Sequence, residues 1–316
     1  MNRPRKRTKC AYNEIGRKGR MEGGKEGRLG RAFHAIRNTL HVSRFTFHVS
    51  RFTFRTYLEF ARKAFQKKMQ YRVANLAGLF TNFFFAAVRI FVFTAFYEAQ
   101  TEPQPLNLNE VVTYVCLTQA FLMVMPLWSR PEITETIKDG SVALQLVKPV
   151  DFHGYWLADE VGKAIYYVMM RAVPTFALSK ILFNMWIPLE PTIIASFVVS
   201  MGLAIAMTAA MNIAVFATVF WTLDATGIQG FTAAIVLFFS GFLVPIALWP
   251  EWLQQVAGWM PFEGLVHLPF SIYLGKLTGS AVWVAFGKQL FWVLVFIGLG
   301  RLILYRGFSR LVVQGG

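Results

Sequence analysis

The side chains that could do covalent chemistry in this chain are few and scattered. Ser240 and His267 supply a hydroxyl and an imidazole, the combination an intramembrane protease would use, because a base must take the nucleophile's proton. No motif supports that use. The sequence has no GxSxG elbow, no HExxH metal helix, and no GxxxxGK[ST] loop whose backbone amides could cradle ATP. Its two cysteines, Cys10 and Cys116, are too few for a metal cluster or a disulfide framework. His267 by itself reads as a structural or solvated histidine. Two arginines lie inside apolar runs, where ionisable groups serve a pathway or helix packing. Arg171 is too deep to reach either surface, so it must face other helices or a wet cavity, as a translocation-path contact or as half of a structural pair. Arg89 lies nearer a span end, from which a long side chain can snorkel.

What must position these groups is a membrane protein. Of the 316 residues 55% are hydrophobic and 16% aromatic, and the mean hydropathy is +0.44, above the range of soluble domains. A hydrocarbon core needs about 20 apolar residues as helix. Six runs meet or approach this, at 74–97, 111–128, 161–183, 192–221, 227–248 and 282–304. The predicted fold class is therefore all-α, a polytopic membrane protein with six transmembrane helices.

The net charge of +15 does not imply a nucleic-acid partner, because it is not spread along the chain. Residues 1–73 hold 20 of the 32 Lys and Arg against four Glu, which leaves 12 basic and 13 acidic residues for the remainder. Lys and Arg mark cytoplasmic loops. Arg62, Lys63, Lys67, Lys68 and Arg72 precede the first run, Arg130, Lys138 and Lys148 follow the second, and Arg301, Arg306 and Arg310 close the chain. The alternate loops carry Glu98, Glu102, Glu110, Glu190, Glu251 and Glu263, with Lys276. Both termini are accordingly expected in the cytoplasm.

Residues 1–54 form a basic arm in which HVSRFTF occurs at 41–47 and again at 48–54. Phe interleaved with basic residues would suit an RNA- or anionic-lipid-binding tail. The plainer alternatives are a disordered arm or upstream DNA translated from a mis-assigned start. From 56 to 73 the pattern changes. Tyr57, Phe60, Ala61, Ala64, Phe65 and Met69 share one helical face, with Arg62, Lys63, Gln66, Lys67 and Gln70 opposite, as in an interfacial amphipathic helix. Ala206, Ala210, Ala214 and Thr218 recur every four residues and would let another helix approach closely.

Two segments carry the most specific signals. In 240–262, SGFLVPIALWPEWLQQVAGWMPF, Pro245 and Pro250 break the helix near the outer end of the fifth run. The stretch 251–260 is too short to cross a bilayer, yet Trp252, Leu253, Val256, Trp259 and Met260 give it an apolar face, so it must lie in the interface or dip into it. Pro261 ends it. In 133–149, Ile133 and Ile137 share a face, Gly140 breaks the helix, and Val142, Leu144 and Leu146 start a new apolar side before Lys148 and Pro149 stop it. An amphipathic element in a cytoplasmic loop is suited to docking a soluble partner.

With these segments the chain resembles the permease subunits of ABC-2 type ABC transporters, in the branch described as ABC-2 family transporter protein. The resemblance covers about 57–310 and is most specific at Ser240, Gly241, Pro245, Pro250, Trp252 and Pro261, then Leu274, Gly275 and Lys276, with GSVALQLVKPV as the short cytoplasmic motif. It implies that Ile133, Ile137, Gly140, Leu144, Lys148 and Pro149 belong to a coupling element resting on an ATPase subunit. It also implies a re-entrant outer hairpin between helices five and six, and a transmembrane domain at 55–316. No cofactor is expected on this chain, with ATP and Mg on the partner ATPase. The other implied partners are a second permease, the same chain or a sister, and membrane lipid, in a bacterial cytoplasmic membrane. A self-sufficient secondary transporter or an intramembrane enzyme is the alternative. The first would usually carry acids within its spans, and here the acids read almost entirely as loop residues.

Overall fold

In the computed structural model, residues 51–125, 132–183, 185–222 and 226–309 are described, and within them every regular element is helical. The first of the repeated heptads, Cys10, Arg130 and Arg310 lie outside the described residues. The unit of interest is Arg55–Gly316. It begins within α1 (Arg51–Lys68), which a 3-10 turn follows, and goes on to α2 (Arg72–Ala99) and α3 (Leu108–Phe121). Two short helices come next, α4 (Glu132–Lys138) and α5 (Val142–Leu146). Then α6 (Phe152–Tyr167) runs through a π-helical turn (Val168–Ala172) into α7 (Val173–Phe183). The chain continues through α8 (Pro191–Phe216), α9 (Val219–Thr222) and α10 (Thr226–Phe239). It ends with α11 (Glu251–Trp259), α12 (His267–Tyr273) and α13 (Ser280–Phe308).

Three of these segments are long and apolar enough to cross a membrane: Asn75–Ala99, Pro191–Thr222 and Ser280–Phe308. The other three predicted runs form shorter or interrupted helices. The run at 111–128 lies on α3, which begins with a capping box between Asn107 and Glu110 and ends at Phe121, ahead of Pro126. The run at 227–248 stops early, at Phe239, because Gly241 takes a positive φ of 79° and Pro245 follows. The run at 161–183 joins α6 and α7 through the π turn. Pro174 has no N–H for a carbonyl one turn back, and the extra residue of a π turn absorbs that loss.

The helices meet through small residues. On α8, Ala210 and Ala214 are buried and Ala206 half-buried, with Thr218 half-buried in the turn just beyond the helix, as the four-residue stripe predicts for packing. Gly300 of α13 fits against the Ala214 backbone, where a Cβ would come 3.6 Å from Ala214 N and 3.2 Å from His153 Nε2. Further along, Gln289 is fully buried and satisfied. It accepts from Ser200 Oγ (2.9 Å) and donates to the Ser200 carbonyl (3.1 Å) and the Gly264 carbonyl (2.7 Å). A buried amide with these partners joins α8, α13 and the α11–α12 connection without an unpaired polar atom.

The apolar face of α1 is turned to protein, and not only to an interface as its sequence suggests. Gly162 of α6 sits directly on the α1 backbone, where a Cβ would come 2.8 Å from Ala61 Cα. Tyr57 lies on Gly154, Phe60 meets Tyr155 edge-on at 4.9 Å, and Phe65 meets Tyr166 at 5.6 Å. Arg62, Lys63, Gln66 and Lys67 remain exposed.

Candidate functional site

The 132–150 segment divides its apolar residues between two sides. Ile133 and Val142 are 2% and 0% exposed and pack with Phe152 and Trp156 of α6, Phe216 of α8, Val219 of α9 and Leu304 of α13. Ile137 and Leu146 lean on the same cluster. Leu144 and Val147, in contrast, are 73% and 84% exposed, and Lys148 and Pro149 are exposed beside them. The sequence reading grouped Ile133, Ile137 and Leu144 as coupling residues on two successive apolar sides, without saying which side protein covers. The structure turns the isoleucines inward, because helical spacing identifies a face but not what covers it. Gly140, at φ +74°, separates α4 from α5 and permits this reversal. The result is a platform anchored on the ends of several helices, with a small apolar and basic upper side.

Lys67 of α1 is 2.7 Å from Glu132 at the start of α4. Burial pushes the Glu132 carboxyl up, but the hydrogen bond from Lys67 and the charges of Lys163, Lys67 and Lys68 outweigh it and hold the group below the ordinary carboxylate range. Behind it, the buried Lys163 lies 2.5 Å from Asp159 and 3.0 Å from Glu160, one turn apart on α6. The sequence reading missed this triad, although acids three and four residues before a lysine are a legible signal. Near the same end, His153 is 3% exposed and burial lowers its pKa to about 4.

At the opposite end of the bundle the predicted outer motif is brought together. After α10 stops, the Ser240 carbonyl accepts from the His267 N–H (3.1 Å), and the Gly241 carbonyl accepts from Tyr114 Oη (2.9 Å). Arg89 then reaches across from α2 and donates through Nη2 to the carbonyls of Phe242 (2.8 Å) and Leu243 (2.7 Å), and through Nη1 to Thr118 Oγ1 (2.9 Å). Carbonyls left bare at a helix end need donors, and these side chains supply them. Arg89 is thus a clamp on the loop, correcting its reading as a snorkelling residue. Gly241 is required by its φ and by space, since a Cβ would come 2.9 Å from both Tyr114 Oη and Ile246 Cγ1.

Pro245 and Pro250 flank the 3-10 turn Ile246–Leu248, and Pro250 is the N-cap of α11. Pro261 opens the next 3-10 turn, after α11 has ended at Trp259. On α11, Trp252, Val256 and Trp259 are exposed while Ala257 is buried. Lys276 pairs with Glu110 at 2.7 Å, and Lys288 of α13 pairs with Glu263. Burial lifts the Glu263 carboxyl above its usual value despite that lysine. Ser240 Oγ is buried without a hydrogen-bond partner, and the His267 ring lies 3.5 Å from Ser271 Oγ, so the two groups of a protease pair meet by backbone and not by side chain. Burial also lowers His267, to about 4.

Arg171 projects from the π turn onto Gly78 of α2. Among the described residues, no group of His, Cys, Asp and Glu is arranged to hold a metal ion.

Comparison with known proteins places these features in one family. A model described as ABC-2 family transporter protein matches residues 83–315, from the middle of α2 to the end of the chain, while α1 lies before the match. Neither the curated proteins nor the solved structures returned a match. The matched region takes in the platform, the clamped loop and Arg171, and covers well over half of the sequence: the chain belongs to the ABC-2 family of transporter proteins, as a multi-pass membrane protein of a family that implies partnership with an ABC ATPase.

Proposed function

We propose that the chain is the permease subunit of an ABC exporter, with six spans and both termini on the cytoplasmic side of a bacterial cytoplasmic membrane. A separate ATPase subunit binds ATP and Mg and docks on Leu144, Val147, Lys148 and Pro149. Ile133, Ile137 and Val142 pass its movement to α6, α8, α9 and α13. A second permease, this chain again or a sister, completes the path. The 240–279 segment re-enters the membrane from the outer side, with Trp252, Val256 and Trp259 against lipid.

The observation that carries this reading is the two-sidedness of the 132–150 segment. Ile133 and Val142 are buried against the ends of several helices, while Leu144 and Val147 are left bare. Burying each inward side chain is worth about 2 kcal/mol, whereas the exposed Lys67–Glu132 bridge contributes under about 1 kcal/mol. The inner attachment is therefore set by packing, and a force on the outer side is transmitted through it. Gly140→Pro would impose a φ of about −65° where the chain needs +74°, which detaches α5 from α4.

Affinity purification of the tagged chain from its native membrane in mild detergent, with mass spectrometry of what accompanies it, tests the proposal. Near-stoichiometric recovery of an ATP-binding subunit, lost in a Leu144→Asp/Val147→Asp variant, is expected. Recovery of the chain alone, under conditions that preserve a known ABC complex, would favour a self-sufficient carrier.

A further inference from the structure

We propose that Arg171 binds the anionic headgroup of an amphiphilic cargo, a phosphate or carboxylate borne on an acyl chain, where the π turn meets α2 at Gly78. The proposal rests on the transporter reading and names the chemical class of what is moved. Arg171 is 6% exposed, and its guanidinium occupies the space beside Gly78 that a Cβ would fill. A guanidinium does not give up its proton in a protein, and an ionised group at membrane depth is costly unless something compensates it.

The other deep cations of this chain are compensated. Lys163 has Asp159 and Glu160, and Arg89 has Thr118 Oγ1 and the carbonyls of Phe242 and Leu243. Arg171 is not. Among the described residues no carboxylate lies within ion-pair distance of it, and its buried Nε has no hydrogen-bond acceptor. Its electrostatic neighbours are the phenols of Tyr166 and Tyr167. One turn on, Thr175 is 2% exposed and its hydroxyl too is unpartnered. A planar donor fork with a free hydroxyl nearby is the chemistry that receives an oxyanion.

The surroundings favour an anion that arrives with a tail. Met170 and Val173, on either side of Arg171, and Leu76 and Phe80, on either side of Gly78, are exposed apolar residues. An acyl chain has a surface to lie on there, and an inorganic ion would gain nothing from it.

The test places the full chain in nanodiscs of phosphatidylcholine containing a minor fraction of phosphatidylglycerol, and counts retained phosphatidylglycerol by native mass spectrometry. Wild type is expected to retain it, Arg171→Lys to retain it in part, and Arg171→Gln to lose it by about tenfold or more. Lys67→Gln should match wild type, which separates the site from general attraction of basic surfaces for anionic lipid. In pure phosphatidylcholine, Arg171→Gln should melt at or above wild type, because it removes an uncompensated charge. Adding phosphatidylglycerol should raise the wild-type midpoint and leave that of Arg171→Gln unchanged.

Equal retention by wild type and Arg171→Gln would overturn the proposal. So would displacement of the lipid by an equal concentration of inorganic phosphate, and so would a lower midpoint for Arg171→Gln in phosphatidylcholine, which would mark Arg171 as half of a structural pair, within the chain or with a second copy. None of these readouts involves the ATPase, so failure here leaves the coupling platform untouched.

Discussion

The two ends of the bundle are held by different physics. The 240–276 loop packs Leu265, Val266, Phe270, Tyr273 and Leu274 into the main core, and directed bonds then fix its geometry: its carbonyls are taken by Arg89, Tyr114 and the His267 amide, and its lysine by Glu110. The 132–150 platform is held by apolar contact on one side, with the exposed Lys67–Glu132 bridge at its edge. Directed bonds to backbone acceptors permit one geometry, whereas an apolar seat tolerates small shifts without losing its free energy. The 240–276 segment is thus built as a fixed cap, and the 132–150 segment as a part that can shift.

Breaking the outer bonds should therefore cost more than breaking the inner one. Arg89→Met removes the donor for the Phe242 and Leu243 carbonyls and for Thr118. With about 1–3 kcal/mol for each acceptor left bare, it should lower the thermal midpoint in detergent more than any other variant considered and expose 240–262 to protease. A midpoint within a degree of wild type would remove the distinction between the two ends.

A comparable effect is expected from acid. His153 has its pKa lowered to about 4 by burial, against about 6.5 unfolded. The folded state thus prefers neutral imidazole, and the stability this gives is complete above about pH 6.5 and is lost as pH falls through the folded value. The span corresponds to about 3 kcal/mol at pH 4 and below, and His153→Gln should flatten its share of the acid limb in a pH series of unfolding midpoints.

Gly241→Ala comes next, at about 1–3 kcal/mol, since it pairs a positive φ with a Cβ 2.9 Å from Tyr114 Oη. Its loss should appear in the same melting assay, and a neutral result would mean that the loop shifts freely and is no fixed cap. Lys67→Gln is expected to be the mildest, below about 1 kcal/mol and weaker still in high salt, because both partners are about half-exposed.

How much of this could be read beforehand depended on the kind of interaction. The long apolar runs gave the spanning helices at 75–99, 191–222 and 280–308 within a few residues, and Gly140 and Pro245 mark real breaks because each constrains its own backbone. Arg89 could not be read, since its acceptors are carbonyls 153 and 154 residues away and a carbonyl carries no residue-type signal. The face of α1 was visible in the spacing of Tyr57, Ala61 and Phe65, but not that protein covers it. The clue lay on α6, where Gly162 leaves room for the α1 backbone and Gly154 for the Tyr57 ring. Likewise Ile133 and Leu144 look alike in sequence, and only the packing of α4 and α5 on Phe152 and Phe216 separates the buried residue from the bare one.

The most direct test of the account is ATPase activity of the complex reconstituted in lipid, measured with wild-type chain and with Gly140→Pro and Lys148→Glu. Stimulation by the permease should disappear in both variants while membrane insertion is kept, and the thermal midpoint of Lys148→Glu, at an exposed position, should stay close to wild type. Stimulation that persists unchanged in both would contradict the claim that the 132–150 platform is the point of coupling.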